Sequence, residues 1–297
     1  LFGWTADVPS AWRVADGVLV GEGPEAGRLR TNAAFADFLL RYEFRGGQKS
    51  SVFIRCGQRP GDGTPLPGRG GKKDDRWHAY EVEVKGERLT AKLDGKTIAK
   101  TKEAAGKVGA IALEHASGEK IEYRNIKLEP LGLRAIFNGK DLAGWRKVEA
   151  PKAKEPPLWS VKDGAIHVEK GPGQLETEAT FADFLLQLDI RTNAQHEKHH
   201  PNSGVFFRGD PNGFWTGYEA QIRNEYKEGD RAKPVDFGTG GIYHYQPARK
   251  VVSNDNEFFL MTVLARGRRM LVWINGCAVS DWAVSYTHLR AHETVLD

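Results

Sequence analysis

The feature that most constrains this chain is that it repeats itself. Trp12-Arg13-Val14-Ala15-Asp16-Gly17-Val18-Leu19-Val20 returns as Trp159-Ser160-Val161-Lys162-Asp163-Gly164-Ala165-Ile166-His167. Phe35-Ala36-Asp37-Phe38-Leu39-Leu40 returns as Phe181-Ala182-Asp183-Phe184-Leu185-Leu186, and Ser51-Val52-Phe53-Ile54-Arg55 as Gly204-Val205-Phe206-Phe207-Arg208. Lys85-Gly86-Glu87-Arg88-Leu89, followed by Leu93-Asp94-Gly95, is answered by Arg266-Gly267-Arg268-Arg269-Met270 and then Ile274-Asn275-Gly276. Colinear matches of this kind require two domains of one architecture, and 297 residues accommodate two of ordinary size.

The repeated segments read as strands. Asp-Gly between apolar runs is a hairpin signal, because both central positions of the turn take positive φ and these two residues tolerate it. Tyr80-Glu81-Val82-Glu83-Val84 and Leu89-Thr90-Ala91-Lys92-Leu93 alternate with period two, which gives each strand one apolar and one wet face. With 34 Gly and 14 Pro to punctuate short elements and no long amphipathic helix, the expected class is all-β. Two antiparallel sheets packed face to face per repeat satisfy this pattern.

The expected boundaries are a first repeat over 1–132, a second over 133–284 and a tail over 285–297. The first repeat opens at the counterpart of Gly144-Trp145, so its first strand is expected to be missing. It closes with Gly109–His115 and Ile121–Leu128, a pair that the second repeat lacks. The tail, Ser285-Tyr286-Thr287-His288-Leu289-Arg290-Ala291-His292-Glu293-Thr294, resembles translated sequencing-adapter read-through at the ends of metagenomic fragments. It is read as non-native; a divergent native tail is the alternative. Lys and Arg total 43 against 39 Asp and Glu, and no basic stretch interleaves with aromatics, which argues against a nucleic-acid partner. No run reaches the roughly 20 apolar residues of a membrane helix. Cys56 and Cys277 fall in different repeats, so a disulfide within either is excluded and both are expected to be free.

Ala135-Ile136-Phe137-Asn138-Gly139-Lys140-Asp141-Leu142-Ala143-Gly144-Trp145 resembles the opening signature of the 3-keto-disaccharide hydrolase family. Asn202-Ser203-Gly204-Val205-Phe206-Phe207-Arg208-Gly209, Tyr218-Glu219-Ala220-Gln221-Ile222 and Gly238-Thr239-Gly240-Gly241-Ile242-Tyr243 follow in the family's order. The first repeat is similar more loosely, giving two tandem copies. The resemblance implies a concanavalin-like jelly roll and cleavage of glycosides whose sugar carries a ketone at carbon 3. It also implies a carbohydrate partner, and a periplasmic or secreted location.

Where chemistry could sit follows from comparing the repeats. The second inserts a segment over 210–256 where the first has a Gly/Pro/Lys-rich loop over 58–75. The insertion carries Phe214, Trp215, Tyr218, Glu219, Gln221, Tyr243, His244 and Tyr245, the aromatic faces and fixed polar groups that a sugar requires. Strand parity puts Glu219 and Gln221 on one face, opposite Tyr218 and Ile222, and pairs Arg208 with Phe206. Elimination from a 3-keto sugar needs a base, a stabiliser of the enolate and an acid for the leaving group. Glu219 or His244 is the candidate base, with Arg208 or a bound cation as stabiliser. Gln221, Asn202, Trp215, Tyr243 and Lys250 are the candidate substrate contacts. A structural ion pair between Arg208 and Glu219, and a packing role for His244, remain open. His196-Glu197-Lys198-His199-His200 could hold a divalent metal through His199 and His200, or be a solvated loop. A classical two-carboxylate glycosidase needs a second acid facing Glu219, which the sequence does not identify. A non-catalytic carbohydrate-binding module needs none.

Overall fold

The computed structural model describes residues 1–57, 59, 62–68, 74–102, 104, 106–196 and 199–285. It divides into two compact units, Leu1–Arg134 and Ala135–Asp297. Most of the tail read as non-native, from residue 286, lies outside the described residues, as does part of the 58–75 loop. The described residues are almost entirely strand and turn, as the alternation requires, and the class is an all-β jelly-roll sandwich.

The first unit contributes β1 (Trp4–Ala6), β2 (Trp12–Ala15), β3 (Val18–Glu22), β4 (Gly27–Thr31), β5 (Phe38–Gly46) and β6 (Ser51–Cys56). It continues with β7 (Thr64–Pro65), β8 (His78–Lys85), β9 (Arg88–Leu93), β10 (Lys96–Thr101), β11 (Ala110–His115) and β12 (Lys120–Pro130). One sheet has the order β1-β4-β11-β6-β7 and the other β10-β9-β8-β5-β12-β3-β2. Period-two patterning places the core. On β5, Phe38, Leu40, Tyr42 and Phe44 are buried while Arg41 between them is exposed. On β8, Tyr80, Val82 and Val84 alternate with Glu81 and Glu83, and Tyr42 stacks on Tyr80 with ring centroids 5.2 Å apart. Each fully buried side chain of this size contributes about 1.5–3 kcal/mol relative to exposure.

The hairpin turns behave as their residues dictate. Asp16 and Gly17 have φ of 51° and 75°, Asp163 and Gly164 have 51° and 75°, and Asn275 and Gly276 have 50° and 75°. Two successive positive φ values match the right-handed twist of the strands that the turn joins.

The second unit contributes β13 (Trp145–Glu149), β14 (Leu158–Lys162), β15 (Ala165–Glu169), β16 (Gly173–Thr177) and β17 (Phe184–Arg191). Then come β18 (Ser203–Phe207), β19 (Tyr218–Ile222), β20 (Phe258–Arg266), β21 (Arg269–Ile274) and β22 (Cys277–Ala283). Its pairings are β13-β16, β14-β15, β18-β19 and the four-stranded β17-β20-β21-β22. In the first unit β11 stands between β4 and β6, and β12 between β5 and β3; among the described residues of the second unit no strand takes either place. Burial reflects this: Leu29 on β4 is fully buried, whereas Leu175, at the same register on β16, is only partly so. The second core instead gathers on β18–β22 around Met261, Val263, Met270, Val272, Ile274 and Ile242.

Cys56 is buried, Cys277 is half-buried, and both are free. Among the described residues no helix is long and apolar enough to cross a membrane.

Candidate functional site

The antiparallel pair β18–β19 sets the site. Its register places Phe207 opposite Tyr218, Phe206 opposite Glu219, Val205 opposite Ala220 and Gly204 opposite Gln221. Phe207, Ala220 and Ile222 belong to the core, with Val205 and Tyr218 packed against it. The other face therefore carries Phe206, Glu219 and Gln221, as parity requires. Gly204 has a steric role: a Cβ there would lie 2.0 Å from Glu219 Oε1 and 2.5 Å from its Cγ. The missing side chain is the space that the glutamate occupies.

Residues 236–246 fold back along the free edge of β19. Gly240 N donates to Gln221 O at 2.7 Å, Gln221 N to Gly241 O at 2.9 Å, and Tyr243 N to Glu219 O at 2.9 Å. The glycine run permits this approach. A Cβ on Gly240 would meet Val279 Cγ2 at 2.4 Å, and one on Gly241 would meet the Phe237 carbonyl at 2.4 Å. The path carries Asp236, with φ of 48°, to the polar face of β19. There Asp236 Oδ2 accepts hydrogen bonds from Asn202 Nδ2 at 3.0 Å and Gln221 Nε2 at 3.2 Å, and it interacts with the Tyr243 phenol.

Glu219 is 9% exposed. Its burial pushes the carboxyl up to about 7; the Trp215 indole, with Nε1 at 3.4 Å from Oε2, works against that rise, and the charge of Asp236 adds to it. The Tyr243 phenol is also raised, by desolvation first and then by the two carboxylates, so it stays a protonated donor at neutral pH. Trp215 is held by its backbone N–H on Gln174 Oε1 at 2.5 Å and leaves its ring 61% exposed at the rim. The result is a buried acid of raised pKa, a second carboxylate, a phenol and an open indole face in one place. Such an arrangement can move a proton at neutral pH beside a polar ring-shaped ligand.

The structure brings together Glu219, Trp215, Tyr243 and Asn202 from among the residues expected at a site. His244 joins them at the rim, exposed and packed on the Tyr243 ring with centroids 4.1 Å apart, without a hydrogen bond to Glu219. Lys250 is half-buried between Arg249, which donates to Ala278 O, and Val251, which donates to Arg231 O; it takes no part in the hydrogen bonds around Glu219. Gln221 is on the expected face but is corrected in role. At 1% exposure its amide holds Asp236 and the Ile222 N–H, so it positions the second carboxylate and cannot orient a sugar hydroxyl.

Arg208 is also corrected. The strand ends at Phe207, and a φ of 55° at Arg208 breaks the parity that would have aimed it beside Phe206. Its guanidinium instead donates to the carbonyls of Ala182 and Gly267 and to Asp183, whose carboxylate also accepts the Gly267 N–H. Arg55 makes the same clamp in the first unit, on Ala36 O, Gly86 O and Asp37, at a φ of 53°. A feature common to both repeats is scaffold, so Arg208 is neither the enolate stabiliser nor a partner of Glu219. Arg208→Met should destabilise the second unit by about 3 kcal/mol, because it leaves the carbonyls of Ala182 and Gly267 without their donor and Asp183 with the Gly267 N–H alone. Denaturant unfolding checks this; lost turnover at unchanged stability would restore a catalytic role.

His200 Nδ1 lies 2.7 Å from Asp255 Oδ2, and Asp255 in turn binds Thr192 and Asn224 in a buried polar network that reaches Thr239 and Ser253. His199 packs its ring on His196 at 5.5 Å, and Glu197 lies outside the described residues. Among the described residues no three His, Cys, Asp or Glu converge as a metal site.

Sequence reasoning missed Asp236. The available signal was an acid just before the Gly238-Thr239-Gly240-Gly241 run, at the point where the insertion must turn back.

A family model described as the 3-keto-alpha-glucoside-1,2-lyase-like domain matches residues 1–69, 64–129 and 132–294. No curated protein matches the chain by sequence. Among solved structures, a candidate glycosyl hydrolase from Parabacteroides distasonis aligns at 17% identity and a TM-score of 0.36, over 43% of this chain and 99% of its own. The carbohydrate-binding module CBM66 from Bacillus subtilis aligns at 14% identity and a TM-score of 0.37, over 43% of this chain and 95% of its own.

Proposed function

The chain belongs to the 3-keto-alpha-glucoside-1,2-lyase-like family, and from that premise we propose that its second unit cleaves 3-keto-glycosides by elimination followed by hydration. A ketone at carbon 3 acidifies the hydrogen on carbon 2. Glu219, ionised, takes that proton, and the electron pair passes into the enolate at the carbon 3 oxygen. The enolate then expels the glycosidic oxygen from carbon 1, and the leaving alkoxide takes up a proton. Water finally adds across the carbon 1–carbon 2 double bond, its oxygen to carbon 1 and a proton to carbon 2. Tyr243 is assigned the donor to the enolate oxygen, in place of Arg208. His244 is the exposed group that can protonate the departing alkoxide, and Trp215 is the surface for a ring face.

The observation that carries this reading is the buried Glu219 carboxyl, raised to about 7 beside Asp236. A general base works best when its pKa is near the operating pH. Asp236 also favours a second reading, hydrolysis by two carboxylates, for which the sequence had supplied only one. Turnover of a 3-keto-glucoside compared with that of the ordinary glucoside separates the two. The elimination route predicts cleavage of the keto sugar alone, because only the ketone acidifies carbon 2. Equal cleavage of both sugars would overturn it in favour of the two-carboxylate route, and binding with no cleavage of either would leave a carbohydrate-binding module.

A further inference from the structure

The first unit carries a face equivalent to the one that holds Glu219. Register fixes the correspondence: Phe53 pairs with Pro65 as Phe206 pairs with Glu219. Trp4 pairs with Thr31 as Trp145 pairs with Thr177, so Arg28 and Arg30 stand where the second unit has Gln174 and Glu176. In the second unit those two residues accept the backbone N–H groups of Trp215 and Asn212, and the inserted loop rests on them. In the first unit the same strands line a cavity of about 440 Å³, with Asp7, Arg28, Arg30, Phe53, Arg59 and Glu114 among its walls.

We propose that this cavity binds, without cleaving it, a saccharide that bears a carboxylate, a uronic acid residue being the chemical class. That it takes a saccharide rests on the reading of the second unit; that it takes an anion rests on its own charges. Three arginines face two acids, and both acids are engaged. Glu114 Oε2 accepts from Arg28 Nε at 3.1 Å and Nη2 at 2.9 Å, while Asp7 Oδ1 accepts the backbone N–H groups of Val8 and Arg28. Arg28 is further fixed over the Phe53 ring, 4.4 Å from its centroid. Arg30 is anchored through Nη1 on Gly57 O at 2.8 Å and is half-exposed. A guanidinium so placed presents a fork that matches a carboxylate. Pro65 stands at the register position of Glu219, so the proton-transfer group of the second unit has no counterpart here.

The experiment uses the full chain carrying Glu219→Gln, titrated calorimetrically with an aldobiouronic acid, with cellobiose as the neutral counterpart and with acetate. The aldobiouronic acid should bind at least roughly tenfold more tightly than cellobiose, the advantage should shrink with added salt, and Arg30→Gln should remove it. Arg28→Gln should do likewise if it folds; Arg30→Gln alone decides the matter if it does not. Equal binding of cellobiose, acetate competing as well as the uronate, or unchanged affinity in Arg30→Gln would each overturn the proposal. Its failure is separable from failure of the second-unit reading, which is judged by turnover of the 3-keto-glucoside in the chain with Arg30→Gln and native Glu219.

Discussion

Glu219→Gln is expected to lower turnover of a 3-keto-glucoside by about two to four orders of magnitude, the usual contribution of a positioned base, while stabilising the protein above neutral pH. The two effects have one cause. The carboxyl stands at about 7 in the folded protein against an ordinary 4.5. Between those values the folded state keeps a proton that the unfolded chain has released, so stability falls as pH rises through that window. At about 1.4 kcal/mol per unit, the accumulated cost above pH 7 is roughly 3 kcal/mol. Glutamine reproduces the neutral carboxyl and removes that cost, so the variant should melt higher than the parent at pH 8 and about equally at pH 4. The parent's kcat/KM should rise with pH through about 7 as a single ionisation, since the ionised base is the active form. Thermal melts at the two pH values and a pH–rate profile check the pair of effects. Retained turnover in Glu219→Gln would reject the base; equal melting shifts at pH 4 and pH 8 would reject the raised carboxyl.

The second large effect is expected from Gly204→Ala, a change of one methyl group on a strand. The added Cβ would lie 2.0 Å from Glu219 Oε1 and 2.6 Å from its Cδ, so the carboxylate must leave its position. The displaced carboxylate is expected to turn outward toward water. Turnover should fall by about a hundredfold, the scale of misplacing a reacting group by an ångström. The pH profile of the residual activity should move below 7 as the carboxyl regains solvation. Overpacking would cost about 1–3 kcal/mol of stability, measurable by denaturant unfolding. A lowered rate with an unmoved inflection would mean that Gly204 acts on folding alone. The first unit shows that the strand itself accepts a side chain here: Ser51 occupies the position of Gly204 on β6, and there Pro65, across from Phe53, stands at the register position of Glu219.

Much of the fold was legible because its causes are local. The alternation over Tyr80–Val84 gives buried and exposed faces on β8, and Asp-Gly or Asn-Gly pairs give the turns with positive φ. Parity also put Glu219 and Gln221 on one face correctly, because β19 is regular from Tyr218 to Ile222. It failed for Arg208 because one left-handed residue ends the strand, and parity holds only within unbroken extended backbone. The aligned pair Arg55 and Arg208 carried the warning, since a residue common to both repeats does not make the difference between them. Asp236 escaped because it lies in an irregular excursion with no period to read, fifteen residues from the Gln221 amide that holds it.

The amino-acid order by itself determined two repeats of short antiparallel strands, their turns, their apolar faces and the segment in which they differ. These follow from side-chain polarity, steric limits on φ and the two-residue period of extended chain. Only the tertiary structure decided which polar groups meet: Asp236 with Glu219, Arg208 with Asp183, His200 with Asp255. Those pairings depend on where irregular backbone returns after tens of residues, and on burial, which sets whether a carboxyl such as Glu219 holds its proton at neutral pH.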